Sequence, residues 1–189
     1  MADVVIGTRG ALRLFGPASL GLAAFIAPDQ LLGLPDFRAA ERAFALMWAA
    51  TERVRRDGVV VVQSRNTAHY AMDALLKRDL GIFYRHELRF RAELGYPPFR
   101  RLALISVSRG GRGSAEALAA DVTAALRGAP RVTVYPPTAD RGGCRWRIVV
   151  KGEQDLPALV GAALADFRKE RAGSRGIMDI EVDPVEWPF

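Results

Sequence analysis

The stretch GYPPFRRLALISVS, which occupies residues 95–108, decides how this chain is organised. Two consecutive prolines, Pro97 and Pro98, cannot continue a helix. They hold the chain in an extended conformation. They therefore separate the helical pattern before them from the apolar, strand-like run after them. We predict a domain boundary at this break, with one domain over residues 1–95 and another over residues 96–189.

Beyond the break, the hydrophobic pattern predicts four strands and two helices. In chain order they are a strand at Arg101–Ser108, a helix at Ser114–Leu126, strands at Arg131–Tyr135 and Arg145–Lys151, a helix at Gln154–Arg171 and a strand at Ile177–Val182. The order β-α-β-β-α-β is typical of the ferredoxin-like α+β fold, in which two helices cover one face of a four-stranded antiparallel sheet. We expect the other face of that sheet to be open.

Before the break, strands and helices alternate, which predicts a parallel α/β arrangement. The predicted elements are strands at Val4–Ile6, Gly21–Ile26 and Val59–Val62 and helices at Asp36–Asp57, Thr67–Arg78 and Leu80–Glu93. Gly58 is the expected end of the first helix, and the β-branched run after it indicates a strand covered on both faces. Three strands make an incomplete sheet, so residues 1–95 are expected either to belong to a longer chain or to rest on a partner. The candidate core residues near the break are Phe83, Leu88, Phe90, Leu94 and Phe99.

The composition bounds the class of protein. The chain has 189 residues, half of them apolar, which is enough to bury a core. No apolar run reaches the roughly 20 residues that a membrane helix needs, so we expect a cytoplasmic protein without membrane partners. The single cysteine, Cys144, cannot form an internal disulfide, and with only His69 and His86 it follows no zinc-ligand spacing.

The charge points to an anionic partner. The formal net charge is +6, and Lys77, Lys151 and Lys169 are the only lysines among the 27 basic residues. Arginine offers a planar fork of donors that fits phosphate and stacks on bases, so this surplus suits nucleic acid better than a membrane surface. The alternative is that the arginine bias reflects a GC-rich genome.

Short motifs along the whole chain match one known family. They are Ile6-Gly7-Thr8, Leu31–Arg42, Gln63-Ser64, His69-Tyr70, Leu94–Pro98, Arg145-Trp146-Arg147 and Asp183-Pro184. With these motifs the chain resembles the C-terminal part of the PriA family, the replication restart helicases also called primosomal protein N′. The resemblance implies that residues 1–95 form the end of a second RecA-like helicase lobe and that residues 96–189 form a ribosomal-protein-like βαββαβ domain. It also implies DNA and other primosome proteins as partners.

The helicase motifs of that family are degenerate in this chain. After Gly-Thr, where the family has polar residues, Arg13 is followed by the apolar Leu14. In the later motif Arg53 and Arg56 remain, but Glu52 replaces a glycine that lets the backbone approach a phosphoryl group. The sequence also has no phosphate-cradling Gly-Lys-Ser/Thr loop. We therefore expect no catalytic residues beyond these remnants and no cofactor in this chain, with ATP and zinc expected only in intact members of the family. The alternative for the arginines is a solvated helix end whose charge suits the helix dipole.

A predicted strand in the second domain carries the best candidates for nucleic-acid contact. Arg145, Arg147 and Lys151 alternate along it, whereas Trp146 and Ile148 point the other way. One face of the strand is therefore basic, and if that face is open it can bind phosphates without sequence preference. The alternative is an ordinary solvated face with Trp146 in the core. The candidate nucleic-acid-binding residues are Arg100, Arg101, Arg141, Arg145, Arg147 and Lys151.

Three functions remain open from the sequence. The first is a non-catalytic DNA-binding module of the replication restart primosome, which recognises forked or single-stranded DNA. The second is the C-terminal half of an active ATP-dependent 3′-5′ DNA helicase whose nucleotide-binding lobe lies outside this chain. The third is a scaffold that recruits single-strand-binding protein by binding the acidic tail of that protein.

Overall fold

A computed structural model describes residues 4–108, 112–170 and 177–185. It divides into two compact units, Met1–Phe90 and Arg91–Phe189, which are taken one at a time below. The fold is of the α/β class, with one parallel and one antiparallel sheet. In the described ranges no helix combines the length and the apolar character needed to cross a membrane.

The first unit is built around a parallel pair of strands. Strand β1 pairs with β2 from Leu22 opposite Val59 to Ile26 opposite Gln63, which confirms the predicted parallel arrangement. Val4–Ile6 is not a strand, contrary to prediction, because no strand of the described chain pairs with it. The elements are a 3₁₀ helix at Arg9–Leu14, β1 at Leu20–Ile26, α1 at Asp29–Leu32, α2 at Ala39–Arg53, β2 at Val54–Gln63, α3 at Tyr70–Lys77 and α4 at Leu80–Leu94, which runs on into the second unit.

Gly58 was predicted to end the first long helix, and this prediction is wrong. The residue lies inside β2. The helix ends at Arg53 and the strand begins at once at Val54. The register of the pair shifts between Leu20 and Leu22, which marks a bulge in β2. A Cβ at position 58 would lie 2.5 Å from the carbonyl oxygen of Gly21. Glycine is therefore required by the close approach of two backbones, which the sequence pattern alone does not reveal.

The prediction that the valine run is covered on both faces is also wrong. Val59 is 54% exposed and Val61 46% exposed, while Ala23 and Val54 on the other face of the pair are buried with Ala50 of α2. A second small core joins α2, α3 and α4. Its members are Phe44, Ala71, Ala74 and Phe83, whereas the predicted core residues Leu88, Phe90 and Leu94 are exposed.

The second unit is an antiparallel sheet with two helices. The spatial order of the strands is β4-β6-β3-β7, and the short β5, which the sequence did not predict, also pairs with β6. The element order agrees with the predicted β-α-β-β-α-β order, although the predicted helix end at Arg171 lies outside the described residues. The elements are β3 at Arg101–Ser108, α5 at Arg112–Arg127, β4 at Thr133–Val134, β5 at Thr138–Ala139, β6 at Arg145–Gly152, α6 at Leu156–Glu170 and β7 at Ile177–Val182.

Both helices pack on one face of this sheet. Leu118, Val122 and Leu126 recur every fourth residue of α5, and Leu156, Val160 and Leu164 do the same in α6, so each helix presents an apolar stripe. These stripes meet alternate residues of the two central strands, which are Ala103, Ile105, Val107, Ile148 and Val150. Phe99, predicted to join the core, is 50% exposed because it lies before β3 begins. The face of the sheet away from the helices is the one that carries the candidate site.

Candidate nucleic-acid interface

The two-residue period of β6 places its basic side chains on one face. Trp146 and Ile148 pack against the helices, so Arg145, Arg147 and Lys151 lie on the opposite face. In the neighbouring strand Leu102 stands opposite Lys151, Leu104 opposite Val149 and Ser106 opposite Arg147. The centre of this face is therefore apolar, and its basic residues come from β6.

A cavity of about 840 Å³ lies on this face. Its floor is formed by Leu102, Leu104 and Val149. Tyr96 and Tyr135 line its sides, and the N–H of Tyr135 donates to the carbonyl oxygen of Val149 over 2.9 Å, which fixes this segment beside β6. Three of the candidate basic residues line the cavity as well, namely Arg141, Arg147 and Lys151.

Lys151 is fixed inside the wall of the cavity and does not project from it. The residue is 8% exposed, and its ammonium group donates to the carbonyl oxygen of Leu94 over 2.8 Å. The same nitrogen lies 4.2 Å from the centre of the Tyr96 ring and 5.6 Å from that of Tyr135. A cation over an aromatic face is attracted by the ring quadrupole, more strongly so where water is excluded. Lys151 therefore holds both tyrosines in place and adds positive charge to the cavity.

Three candidate arginines lie on the open face: Arg141 and Arg147 line the cavity, and Arg145 lies on the same face of β6. Arg141 and Arg145 are exposed, and Arg147 is half-buried. Within the part of the chain that the structure describes, none of their guanidinium groups makes a hydrogen bond or an ion pair, and Nε of Arg147 is buried without a partner. Elsewhere in the unit an exposed arginine, Arg131, is paired with Asp155 at 2.6 Å. The donors at the cavity are thus available to an external acceptor.

Asp140 organises the loop that carries Arg141. One of its carboxylate oxygens accepts from the N–H groups of Cys144 at 3.1 Å and Arg145 at 3.3 Å. Gly143 takes a positive φ of 68° in the same turn, a conformation that glycine adopts without strain. The hydrogen bond from Arg145, together with those from Cys144 and Gly143 and the charge of Arg147, lowers the pKa of Asp140 below its ordinary 3.8. Asp140 is therefore ionised at neutral pH, and its charge is used to accept the hydrogen bonds that hold the loop.

Arg100 and Arg101 are not brought together with the other candidates. Nε of Arg101 donates to Asp183 at 2.8 Å, and Arg101 shares the helix-side alternation of Ala103 and Ile105. Arg100 is exposed just before β3 begins. On the open face itself the last strand contributes carboxylates: Glu181 stands opposite Leu104 and Asp179 opposite Ser106. The face is consequently basic along β6 and acidic along β7.

The three motif remnants in the first unit have different surroundings. Arg53 is half-buried, and its guanidinium group donates to the carbonyl oxygens of Leu12 at 2.9 Å and Ala49 at 2.8 Å. These contacts tie the end of α2 to the 3₁₀ helix and use two of the five N–H donors of the guanidinium group. Arg13 and Arg56 are exposed. The sequence motif preserves the arginine at position 53 in a role that is structural here.

Sequence reasoning missed the aromatic part of the cavity. Tyr96 is not among the predicted site residues, and the pattern predicts Tyr135 only as the end of the strand at Arg131–Tyr135. The signal that could have found Tyr135 is its place directly after Val134, which partners Val150. Continuing that antiparallel ladder brings Tyr135 beside Val149 on the open face.

A family of known proteins matches the second unit. The family model described as primosomal protein N C-terminal domain matches residues 92–185. That range contains the whole cavity and all six candidate nucleic-acid-binding residues.

Three of the curated relatives match between 69% and 97% of the chain. The replication restart protein PriA of Bacillus subtilis is 28% identical over 97% of this chain and 24% of its own length. That of Treponema pallidum is 33% identical over 97% of this chain and 29% of its own length. The probable replication restart protein PriA of Deinococcus radiodurans is 38% identical over 69% of this chain and 14% of its own length. The chain thus spans less than a third of the length of these relatives.

Two solved structures show a distant likeness to the chain. A PII-like signalling protein from Thermus thermophilus aligns with 44% of this chain and 85% of its own at 16% identity and a TM-score of 0.28. A PII-like protein from Thiomonas intermedia gives a TM-score of 0.27 at 16% identity, over 47% of this chain and 95% of its own. Likenesses this weak carry no argument about the chain.

Proposed function

The chain belongs to the PriA family of replication restart proteins and carries the C-terminal domain found in them, and from that premise we propose that it is a non-catalytic DNA-binding module of the replication restart primosome. In this proposal it recognises forked or single-stranded DNA through the open face of the second unit. The contacts are made by Arg141, Arg145 and Arg147. The exposed Arg100, which lies apart from them just before β3, adds a separate phosphate contact.

The observation that carries the proposal is the state of the three arginines. Arg141 and Arg147 line one cavity, and Arg145 lies on the same face of β6. None of the three has an ion-pair partner among the described residues, although the chain contains 21 carboxylate side chains. Phosphate oxygens are suitable acceptors because the planar guanidinium group can bind them bidentately. Such contacts fix a protein on the nucleic-acid backbone without reading its sequence.

The architecture supports the same proposal. We interpret the parallel β1–β2 pair and α2 as the end of a RecA-like helicase lobe, and the second unit as the ferredoxin-like, ribosomal-protein-like domain that the family resemblance implies. Arg53 makes contacts within its own unit, and Glu52 takes the place of a glycine, so the first unit is proposed to act without catalysis. No cofactor is proposed for this chain, and ATP and zinc would belong to longer members of the family.

The test is a titration of the chain against a forked DNA at several salt concentrations, in which fluorescence anisotropy reports binding. Each phosphate that an arginine neutralises releases counterions, so the logarithm of the affinity should fall linearly with the logarithm of the salt concentration, by a slope of about −0.9 for each contact. An affinity that does not change with salt would show that the arginines do not contact phosphates.

Variants locate the surface. Arg145→Ala and Arg147→Ala should each weaken binding on every DNA sequence alike and reduce the salt slope by about one. Arg131→Ala is the matched control because Arg131 is also exposed but is paired with Asp155 at 2.6 Å. Equal losses for all three variants would place the DNA elsewhere on the chain.

The second candidate function is that of one part of an ATP-dependent 3′-5′ DNA helicase. It is favoured by the curated relatives, which match 97% of this chain but are three to four times its length, since the matched region is 24% and 29% of them. The discriminating measurement is ATP hydrolysis by the full-length gene product with forked DNA. Turnover that the DNA stimulates would replace the non-catalytic reading.

A third candidate is a scaffold for single-strand-binding protein. The cavity favours it in one respect, because a basic rim over an apolar floor also suits an acidic peptide that ends in an apolar residue. A pull-down of the chain with the acidic tail peptide tests this function directly.

A further inference from the structure

The cavity on the open face combines the arginine donors of a phosphate site with two features that a phosphate site alone does not need. Its floor is apolar, with Leu102 fully buried and Leu104 4% exposed. One side carries Tyr135, which is 40% exposed although its backbone is fixed to β6. Its rim holds the donors of Arg141 and Arg147. A volume of about 840 Å³ lies within the range of roughly 300–1,000 Å³ that small-ligand sites occupy.

The rigidity of the cavity follows from its contacts. Tyr96 is held at its backbone by the carbonyl oxygen of Arg91 at 2.8 Å and at its ring by the ammonium of Lys151. Lys151 reaches Tyr135 as well, at 5.6 Å, so one buried cation positions both rings. A preformed site loses little conformational entropy when a ligand enters.

The available donors point to the chemistry of the ligand. The buried Nε of Arg147 has no acceptor among the described residues, and a buried donor without an acceptor is costly. The charges at the cavity include Asp140, which accepts hydrogen bonds from its own loop, and the positive groups of Arg141, Arg147 and Lys151. The site therefore fits a ligand in which an anionic group, placed at the rim, is joined to a flat apolar group that lies over the floor.

We propose that this cavity receives a single unpaired nucleobase, which stacks on Tyr135 over the floor of Leu104 and Val149, while the adjoining phosphates lie against Arg141 and Arg147. This inference rests on the proposed DNA-binding function and specifies what that site takes. A base inside a duplex is paired and stacked, so it cannot enter a cavity without being displaced at a cost of a few kcal/mol. A single strand offers its bases freely, and aromatic side chains stack on any base. The face thereby selects unpaired DNA over duplex.

The test uses the whole chain and three labelled DNAs of about 12 nucleotides, within the site sizes of single-strand binders. They are a single strand, the same strand with abasic sites, and the paired duplex. At constant salt, the single strand should bind more tightly than either of the others. The abasic strand keeps every phosphate, so its deficit measures the contribution of the bases.

Variants assign that contribution to Tyr135. Tyr135→Ala should weaken binding of the intact strand about five- to 150-fold, the usual range for loss of one base stack, and leave the abasic strand unchanged. Tyr135→Phe, which keeps the ring, should bind as the unchanged chain does. Tyr84→Ala is the matched control, because Tyr84 is 46% exposed on α4 of the first unit and should leave all three affinities unchanged.

The outcomes separate this inference from the function beneath it. Equal, salt-dependent binding of intact and abasic strands would overturn the base site and leave phosphate binding standing. If the chain binds none of the three DNAs, both the base site and the proposed DNA-binding function are overturned. An acidic peptide that binds with the same sensitivity to Tyr135→Ala, while the intact strand does not, would show that the cavity serves a protein ligand and overturn the inference.

Discussion

The ammonium group of Lys151 lies 4.2 Å from the centre of the Tyr96 ring and donates a hydrogen bond of 2.8 Å to the carbonyl oxygen of Leu94. This contact joins the segment before the double proline to the central strand of the second unit. Lys151 is 8% exposed, so its charge is removed from water and is compensated by a carbonyl and aromatic rings. Four consequences of the fold can be measured.

Lys151→Met should lower the free energy of unfolding by about 1–3 kcal/mol, because it leaves the carbonyl of Leu94 without its donor and removes the cation from the two rings. Urea unfolding followed by circular dichroism measures the change. Lys77→Met is the control: Lys77 is 62% exposed and pairs with Asp73 on the helix surface, so its loss should cost no more than about 0.5 kcal/mol. Equal costs for the two variants would contradict a structural role for Lys151.

Asp183→Ala should destabilise the second unit by about 1–3 kcal/mol, since it leaves the N–H of Leu102 and the guanidinium of Arg101 without their acceptor. Asp183 also has a φ of 50°, where alanine is disfavoured and asparagine is tolerated. Asp183→Asn keeps an acceptor and the backbone conformation, so it should lose less than half as much. Thermal unfolding of the two variants decides this, and identical melting temperatures would show that neither the acceptor nor the backbone matters.

Gly58→Ala should destabilise the first unit by about 1–3 kcal/mol, because the new Cβ would meet the Gly21 carbonyl oxygen at 2.5 Å and a methyl group of Val54 at 2.6 Å. Gly161 gives the opposite case: it lies within α6, and a Cβ there meets nothing within 4 Å. Gly161→Ala should therefore raise the free energy of unfolding by about 0.5–1 kcal/mol, through better helix propensity. A stabilising Gly58→Ala would mean that the strands do not approach at this point.

The stability of the first unit should decrease as the pH falls below about 6.5, the ordinary pKa of histidine. Burial lowers the pKa of His69, against the opposing charges of Glu87 and Asp29. The unfolded chain therefore takes up a proton at a higher pH than the folded chain does. The contribution of neutral His69 to the free energy of unfolding is complete above the unfolded pKa of about 6.5, and it is lost as the pH falls from there through the lower pKa of the folded chain. Protonation also ends the hydrogen bond that Nδ1 accepts from the N–H of Ala71 at 3.1 Å.

The measurement is urea unfolding between pH 8 and pH 5 of the unchanged chain and of His69→Asn. Asparagine is a good N-cap and does not titrate in this range, so the variant should keep the helix start and show a flatter dependence on pH. Parallel curves for the two proteins would assign the decrease to other groups.

The sequence predicted β6 and its two faces correctly. Alternation along an extended chain is a property of covalent geometry, so Trp146 and Ile148 must lie opposite to Arg145 and Arg147 wherever the strand is placed. The apolar character of the first two then decides which face meets the helices. The bounds of β3 and β7 follow equally well from their patterns, as predicted at Arg101–Ser108 and Ile177–Val182.

The sequence failed where a distant segment decides. Gly58 has the position of a helix terminator, but its close approach to Gly21 makes it part of a bulged strand. Val59 and Val61 have the composition of a fully covered strand, yet they are exposed because nothing in the described chain packs on that side. Local pattern reports what a segment can form, while burial depends on which neighbours are present.

By itself the sequence determined the β-α-β-β-α-β order of the main elements of the second unit, the alternation of basic and apolar residues along β6 and the membership of a family, because each depends on local geometry or on motifs along the chain. Only the tertiary structure decided which basic residues share a site. It pairs Arg101 with Asp183, buries Lys151 between Tyr96 and Tyr135, and leaves Arg147 facing a cavity. The physical reason is that these relationships depend on strand register and on the path of segments 95–98 and 135–142 over the sheet, and hydrogen bonding across the whole unit fixes both.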